Sequence, residues 1–176
     1  MKTQKLIIAT LSLAFIGFFS TTANAQEIDT RLGVMLAYGT EIENIGIGAN
    51  AEFGIADNLS ISPSLIYYFP KTEGPIKVNW FEVNGNANYY FVNDGEFHVY
   101  GLAGLNYSSV KAKYDGAGYE ELPGSYSASD GRFGLNLGAG AKMYISNSGI
   151  MPFAELKYVI IDGGQLVIAA GVKFNI

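Results

Sequence analysis

The chain has no cysteine. Disulfides, thiolate metal clusters and a lipid-anchor cysteine are thereby excluded, and stability must come from packing and backbone pairing. Histidine is reduced to a single residue, His98, so the sequence offers no second imidazole for a zinc site. Charged residues make up only 15% of the chain, and no run of Lys and Arg suited to nucleic acid occurs. Long apolar runs are missing too. The longest, Leu6 to Phe19, falls short of the roughly 20 residues that a membrane-spanning helix needs.

That short run has a different meaning. Lys2 and Lys5 precede it, and Ser20, Thr21, Thr22 and the small-residue site Ala23, Asn24, Ala25 follow it. This is the three-part pattern of a secretory signal peptide, with cleavage expected before Gln26. Loss of residues 1–25 removes Lys2 and Lys5 and leaves one domain of 151 residues, 26–176. In it nine Lys and Arg face sixteen Asp and Glu, a net charge of −7.

Glycine and aromatic residues are abundant, with 22 Gly, 12 Tyr and 11 Phe in the whole chain. Interior glycine costs a helix about 1 kcal/mol per position, and the apolar residues of the mature part recur at every second position. A period of two places alternate side chains on opposite faces of a strand. The last segment shows it best: Leu166, Ile168, Ala170, Val172, Phe174 and Ile176 share one parity, while Gln165, Gly171, Lys173 and Asn175 lie on the other.

Seven further segments alternate in the same way. Strands are expected at Arg31 to Gly39, Ile45 to Ile55, Leu59 to Phe69, about Val78 to Phe91, Phe97 to Tyr107, Gly131 to Tyr144 and Ile150 to Ile160. Pro63 lacks an N–H for the ladder and predicts a bulge or local break. In the fifth strand both parities hold apolar residues, and Phe97, Val99, Ala103, Leu105 and Tyr107 are assigned outward. Thr40 to Asn44 and Pro70 to Lys77 read as loops. Connections after the second, fourth and sixth strands are tight, and Ser108 to Asp130 is the longest stretch without alternation. Such asymmetry matches short periplasmic turns and longer external loops, with both chain ends periplasmic. Phe53, Tyr89, Phe91, Phe97 and Phe174 then line one rim, and Tyr38, Tyr67, Phe69, Tyr107, Phe133 and Tyr158 the other.

The expected fold is all-β: an eight-stranded antiparallel up-and-down transmembrane β-barrel after a cleaved signal peptide. A soluble periplasmic carrier with the same strand count would show water a dense charged face. Here the polar parity is mainly Gly, Asn and Ser with isolated charges. Glu52, Glu82 and Glu155 on that parity can pair with Arg132, Lys142, Lys157 and Lys173 in a lumen charge network, where each charge needs a partner to offset its desolvation. A wet-rim position is the other reading for Arg132. Eight strands leave an interior that side chains fill, so an open porin is not expected.

These residues carry a family likeness. The mature chain resembles the small OmpA-like and OmpX-like outer-membrane barrels of Gram-negative bacteria, and Gly171, Phe174 and Ile176 resemble the C-terminal signal read by the barrel-assembly machinery. The final residue departs from the pattern, being Ile176 rather than an aromatic. Barrels of this kind that are enzymes use a histidine with a serine or carboxylate, whereas here the residues after His98 are Val99 and Tyr100. The glycines at 46, 48, 134, 138 and 140 are followed by no Gly-Lys-Ser/Thr and read as small lumen residues. No catalysis, cofactor or metal is expected.

The resemblance implies an outer-membrane location, contact with outer-membrane lipid and a monomer. The expected role is structural or surface-interaction, in adhesion or envelope integrity, through external loops. Chief among them is 108–130, with Tyr114, Tyr119, Glu120, Glu121 and Tyr126 as candidate contacts for an extracellular ligand or surface. The alternative is a narrow gated channel for ions or small solutes.

Overall fold

The computed structural model of the protein describes residues 29–73, 76–114, 127–145 and 148–176. The expected signal peptide, 1–25, and its cleavage point lie outside the described residues. Eight strands follow one another: β1 (Thr30–Gly39), β2 (Asn44–Ala56), β3 (Leu59–Glu73), β4 (Ile76–Val92), β5 (Phe97–Tyr114), β6 (Ser127–Met143), β7 (Ile150–Ile160) and β8 (Gln165–Asn175). Each pairs antiparallel with its chain neighbour, and β1 pairs β8 from Arg31↔Asn175 to Gly39↔Val167, so the sheet closes into a barrel. Closure leaves no free edge around the wall.

Alternation sets the two surfaces. Leu32, Val34, Leu36, Ile47, Leu65, Val83, Leu105, Leu135, Leu137, Leu156 and Ile168 are exposed on the outer wall. Met35, Ala37, Asn50, Glu52, Ile66, Tyr68, Asn84, Asn136, Lys157 and Lys173 are buried inside. The lumen is thus mixed, with apolar Met35, Ala37, Ile66, Phe153, Val159, Val167 and Ala169 forming one cluster. β5 takes the expected register, for Tyr100, Leu102, Asn106 and Ser108 are buried while Phe97, Val99, Ala103 and Leu105 are exposed.

Pro63 acts as a local break. It pairs with Gly85 of β4, but on the β2 side the ladder passes from Asn50↔Ser64 to Phe53↔Ile61 without changing register. The irregularities fall elsewhere, at Gly54/Ala56, Tyr68/Lys71 and Tyr90/Val92. Tight turns use glycine where the backbone turns left-handed, as at Gly95 (φ 74°) between β4 and β5.

Two expected loops are shorter than the sequence suggested. β3 runs to Glu73 and β4 begins at Ile76, so most of 70–77 is strand. Ser108–Tyr114 continues β5 and Ser127–Asp130 begins β6, paired from Ser108↔Arg132 to Lys113↔Ser127. Strand pairing tolerates polar residues on both faces there because that part stands clear of the apolar belt. β4, β5 and β6 have 17, 18 and 17 residues. Spanning a bilayer takes roughly 9–11 tilted residues, so the excess projects on the order of 15 Å beyond it.

β2 and β7 stop short of this projection. β6 pairs β7 only from Leu135↔Ile160 downward, and β3 pairs β2 only up to Gly46↔Tyr68. The upper parts of β3, β4, β5 and β6 therefore form a four-stranded protruding sheet. Its base is tied down where Asn44 Nδ2 donates to the Phe69 carbonyl at 2.8 Å and Lys71 Nζ to Glu43 Oε2 at 2.8 Å. That ammonium holds the Glu43 carboxyl below the usual carboxylate range.

Candidate functional site

Every second residue of β4 from Trp80 to Tyr90 faces the lumen: Trp80, Glu82, Asn84, Asn86, Asn88 and Tyr90. Beside them stand Ser60 and Ser62 of β3 and Asn106 and Ser108 of β5, all buried. One side of the lumen is accordingly polar along most of its height, and the β7, β8 and β1 side is largely apolar. Buried charge concentrates at two levels.

Near the end that carries the termini, Glu52 is the hub. Its Oε1 accepts from Lys142 Nζ at 2.6 Å, Tyr90 OH at 2.5 Å and Arg31 Nη1 at 2.9 Å, and its Oε2 accepts from Lys173 Nζ at 2.5 Å. Lys142 also donates to Tyr90 OH at 2.7 Å and lies 4.5 Å from the centre of that ring. Lys173 sits between the rings of Phe153 and Tyr100, at 4.8 and 5.8 Å. Aromatic faces offset part of the cost of burying an ammonium. Arg31 is held from outside by Asp29. One carboxylate thereby links β1, β2, β4, β6 and β8.

Midway up, Tyr100 OH donates to Glu155 Oε1 at 2.6 Å. The tyrosine ring lies over Gly140, where a Cβ would meet it at 2.5 Å, so only glycine leaves room for this bond. Higher still, Glu82 Oε1 accepts from Gln165 Nε2 at 2.6 Å, while Lys157 Nζ stands 3.5 Å from its Oε2. The nearer partner of Lys157 is Asn84 Oδ1, at 2.8 Å. That oxygen also accepts from Asn106 at 2.8 Å and Asn136 at 2.9 Å, a three-donor node across β4, β5, β6 and β7.

The structure brings Glu52, Lys142 and Lys173 together and sets Glu82 by Lys157. Glu155 meets a tyrosine rather than a cation. Arg132 does not join the lumen network, although its parity points there. It lies above the last β7 residue paired with β6, is exposed, and donates to Asp130 at 2.7 Å and to the Asp162 carbonyl at 3.3 Å. Sequence reading did not name Arg31, Tyr90, Tyr100 and Gln165 as network members. The two tyrosines have lumen parity, but parity does not reveal that an aromatic residue serves there as a hydrogen-bond donor.

His98 occupies a rim position, with Nδ1 2.8 Å from Asn93 Oδ1 and its ring edge-on to Tyr90. In β8, Gly171 packs on Met35, Phe174 is exposed and pairs with Leu32, and the Ile176 N–H donates to the Thr30 carbonyl at 3.1 Å. Tyr114 ends β5 opposite Ile76. Tyr119, Glu120, Glu121 and Tyr126 lie outside the described residues.

The family described as outer membrane protein beta-barrel domain matches residues 9–175. The chain belongs to this outer-membrane barrel family. Among curated proteins none matches the sequence. Of solved structures, the N-terminal β-barrel domain of Pseudomonas aeruginosa OprF is similar at TM-score 0.64 and 17% identity, over 84% of this chain and 97% of that one. Neisserial surface protein A is similar at TM-score 0.62 and 14% identity, over 84% and 96%. Ail, the attachment invasion locus protein of Yersinia pestis, is similar at TM-score 0.55 and 17% identity, over 83% and 97%. At such identities the likeness is one of fold. Family membership places the barrel in an outer membrane, where its exposed apolar wall meets hydrocarbon.

Proposed function

We propose that the protein is a non-conducting structural and surface-interaction barrel, with both termini in the periplasm and the protruding sheet outside the cell. The observation that carries this reading is the pairing of a lumen crossed by buried side chains at three levels with four strands that continue past the membrane belt. A closed interior leaves the projecting end as the part able to meet a partner. There the connection 115–126, with Tyr119, Glu120, Glu121 and Tyr126 beside Tyr114, supplies the contact surface. Ail, whose name is attachment invasion locus protein, shares the fold and is compatible with an adhesive role. No catalysis is assigned, since the His98 imidazole is engaged by Asn93 at the termini end. Gly171, Phe174 and Ile176 serve the barrel-assembly machinery during insertion.

The test compares cells expressing the full chain, a chain lacking 115–126, and none. Surface attachment should fall to the level of the null strain when 115–126 is removed, while detergent resistance stays at that of the full chain. Unchanged attachment would contradict the contact role. A narrow gated channel remains the second reading. It draws on the polar side chains along β4 and on buried atoms without a protein partner, Asn88 Nδ2 and Oδ1, Ser60 Oγ and Asn50 Oδ1. Such groups call for water.

A further inference from the structure

Every junction in the wall but one lies between strands consecutive in the chain, and the exception, between β1 and β8, joins the two ends. A connecting segment keeps consecutive strands together at small entropic cost, whereas the seam pairs residues as distant in sequence as Arg31 and Asn175. Backbone pairs from Arg31↔Asn175 to Gly39↔Val167 run along it, and no turn backs them. Local opening would begin at this seam unless side chains hold it.

The lumen face of β8 supplies them. Its inward residues are Gln165, Val167, Ala169, Gly171 and Lys173, polar at the two ends and apolar or small between. Lys173 is fully buried, and its Nζ donates to Glu52 Oε2 of β2 at 2.5 Å. Gln165 is buried at the other end, and its Nε2 donates to Glu82 Oε1 of β4 at 2.6 Å. Both side chains pass over β1 to a carboxylate beyond the seam. Neither β2 nor β4 pairs with β8 in the wall.

β1 leaves room for each crossing. Gly33 is paired with Lys173, and a Cβ there would lie 2.9 Å from Lys173 Cγ and collide with Asn50 Oδ1. Gly39 lies under the other crossing, where a Cβ would stand 3.1 Å from Gln165 Nε2. A glycine on β1 thus meets a reaching side chain of β8 at both ends of one seam. At the termini end Arg31 of β1 also donates to Glu52, at 2.9 Å, so both seam strands hold that carboxylate. At the far end the Thr40 N–H donates to the Leu166 carbonyl at 3.0 Å, and Thr40 Oγ1 accepts from the Leu166 N–H at 3.1 Å.

We propose that Lys173 and Gln165 form a two-point latch that keeps the barrel from opening sideways between β1 and β8. Opening there would bare two strand edges, and a bare edge is a template for pairing with another chain. The latch suppresses that route by fixing β8 to strands on the far side of β1. It goes beyond the contact role of 115–126 and does not depend on it.

Amide hydrogen exchange of the folded protein in detergent micelles, read strand by strand with mass spectrometry, tests the latch. Lys173→Met and Gln165→Leu each remove a hydrogen bond to a buried carboxylate, so exchange should rise by about tenfold or more across β1 and β8. The junction of β4 with β5 should keep its wild-type rate. Tyr100→Phe, which removes a lumen bond to Glu155 between β5 and β7, should leave the seam unchanged. Equal loosening of every junction, an unchanged seam in either latch variant, or a seam loosened as much by Tyr100→Phe would overturn the proposal. If Lys173→Met fails to reach the heat-modifiable folded form, the seam is fixed instead by an oxidised V34C/V172C pair. These two residues lie directly opposite one another on the outer wall of a chain free of cysteine. Recovery of the folded form supports the latch, and no recovery overturns it.

Discussion

Among the described residues, Glu52 is the carboxylate that engages the most cations. It is fully buried and holds three cations, Arg31, Lys142 and Lys173, of which the two lysines are also buried. Removing one partner of a buried pair costs about 3–5 kcal/mol because the other charge stays desolvated. Glu52→Gln should therefore lower the unfolding free energy in urea by at least that much. Lys142→Met should cost less than half as much, since Glu52 keeps Lys173 and Arg31. A larger loss for Lys142→Met than for Glu52→Gln would contradict the hub assignment. Gly140→Val forces the Tyr100 ring from its seat and separates Tyr100 OH from Glu155. Overpacking of this type costs about 1–3 kcal/mol, a loss visible in the same urea experiment and absent for Gly85→Ala, where no atom lies within 4 Å of the added Cβ.

Among the strands, parity was legible from sequence and height was not. Two-residue alternation assigned Glu52, Glu82, Lys142, Lys157 and Lys173 to one face because that periodicity is local. Which charges meet depends on strand register and on how high each residue stands. Arg132 shows the difference: its parity is inward, yet β7 ends at Ile160 and leaves it above the barrel wall. The projecting parts of β5 and β6 lack alternation for a related reason. Above the bilayer both faces meet water, so Ser108–Tyr114 and Ser127–Asp130 need no apolar parity to pair. Joining Tyr114 to Ser127 by a short Asn-Gly turn in place of 115–126 should preserve heat-modifiable migration, because the pairs from Ile76↔Tyr114 and Lys113↔Ser127 downward remain. Loss of that migration would show that the omitted segment is needed to build the barrel.

For the molecule as a whole, two charge distributions do separate work. Four cations and three carboxylates cross the lumen, where Arg31, Lys142, Lys157 and Lys173 face Glu52, Glu82 and Glu155. The described external cations lie instead on or beside the protruding sheet. Apolar side chains cover the outer wall, and the inner network ties opposite strands together. A barrel of eight strands has an interior just wide enough for this filling. Conductance of single wild-type barrels in planar lipid bilayers tests the closed lumen most directly. The current should stay at the level of the protein-free bilayer across the voltage range. Reproducible steps that disappear in Lys142→Gln or Glu82→Gln barrels would show that the network is a gate and that the protein is a channel.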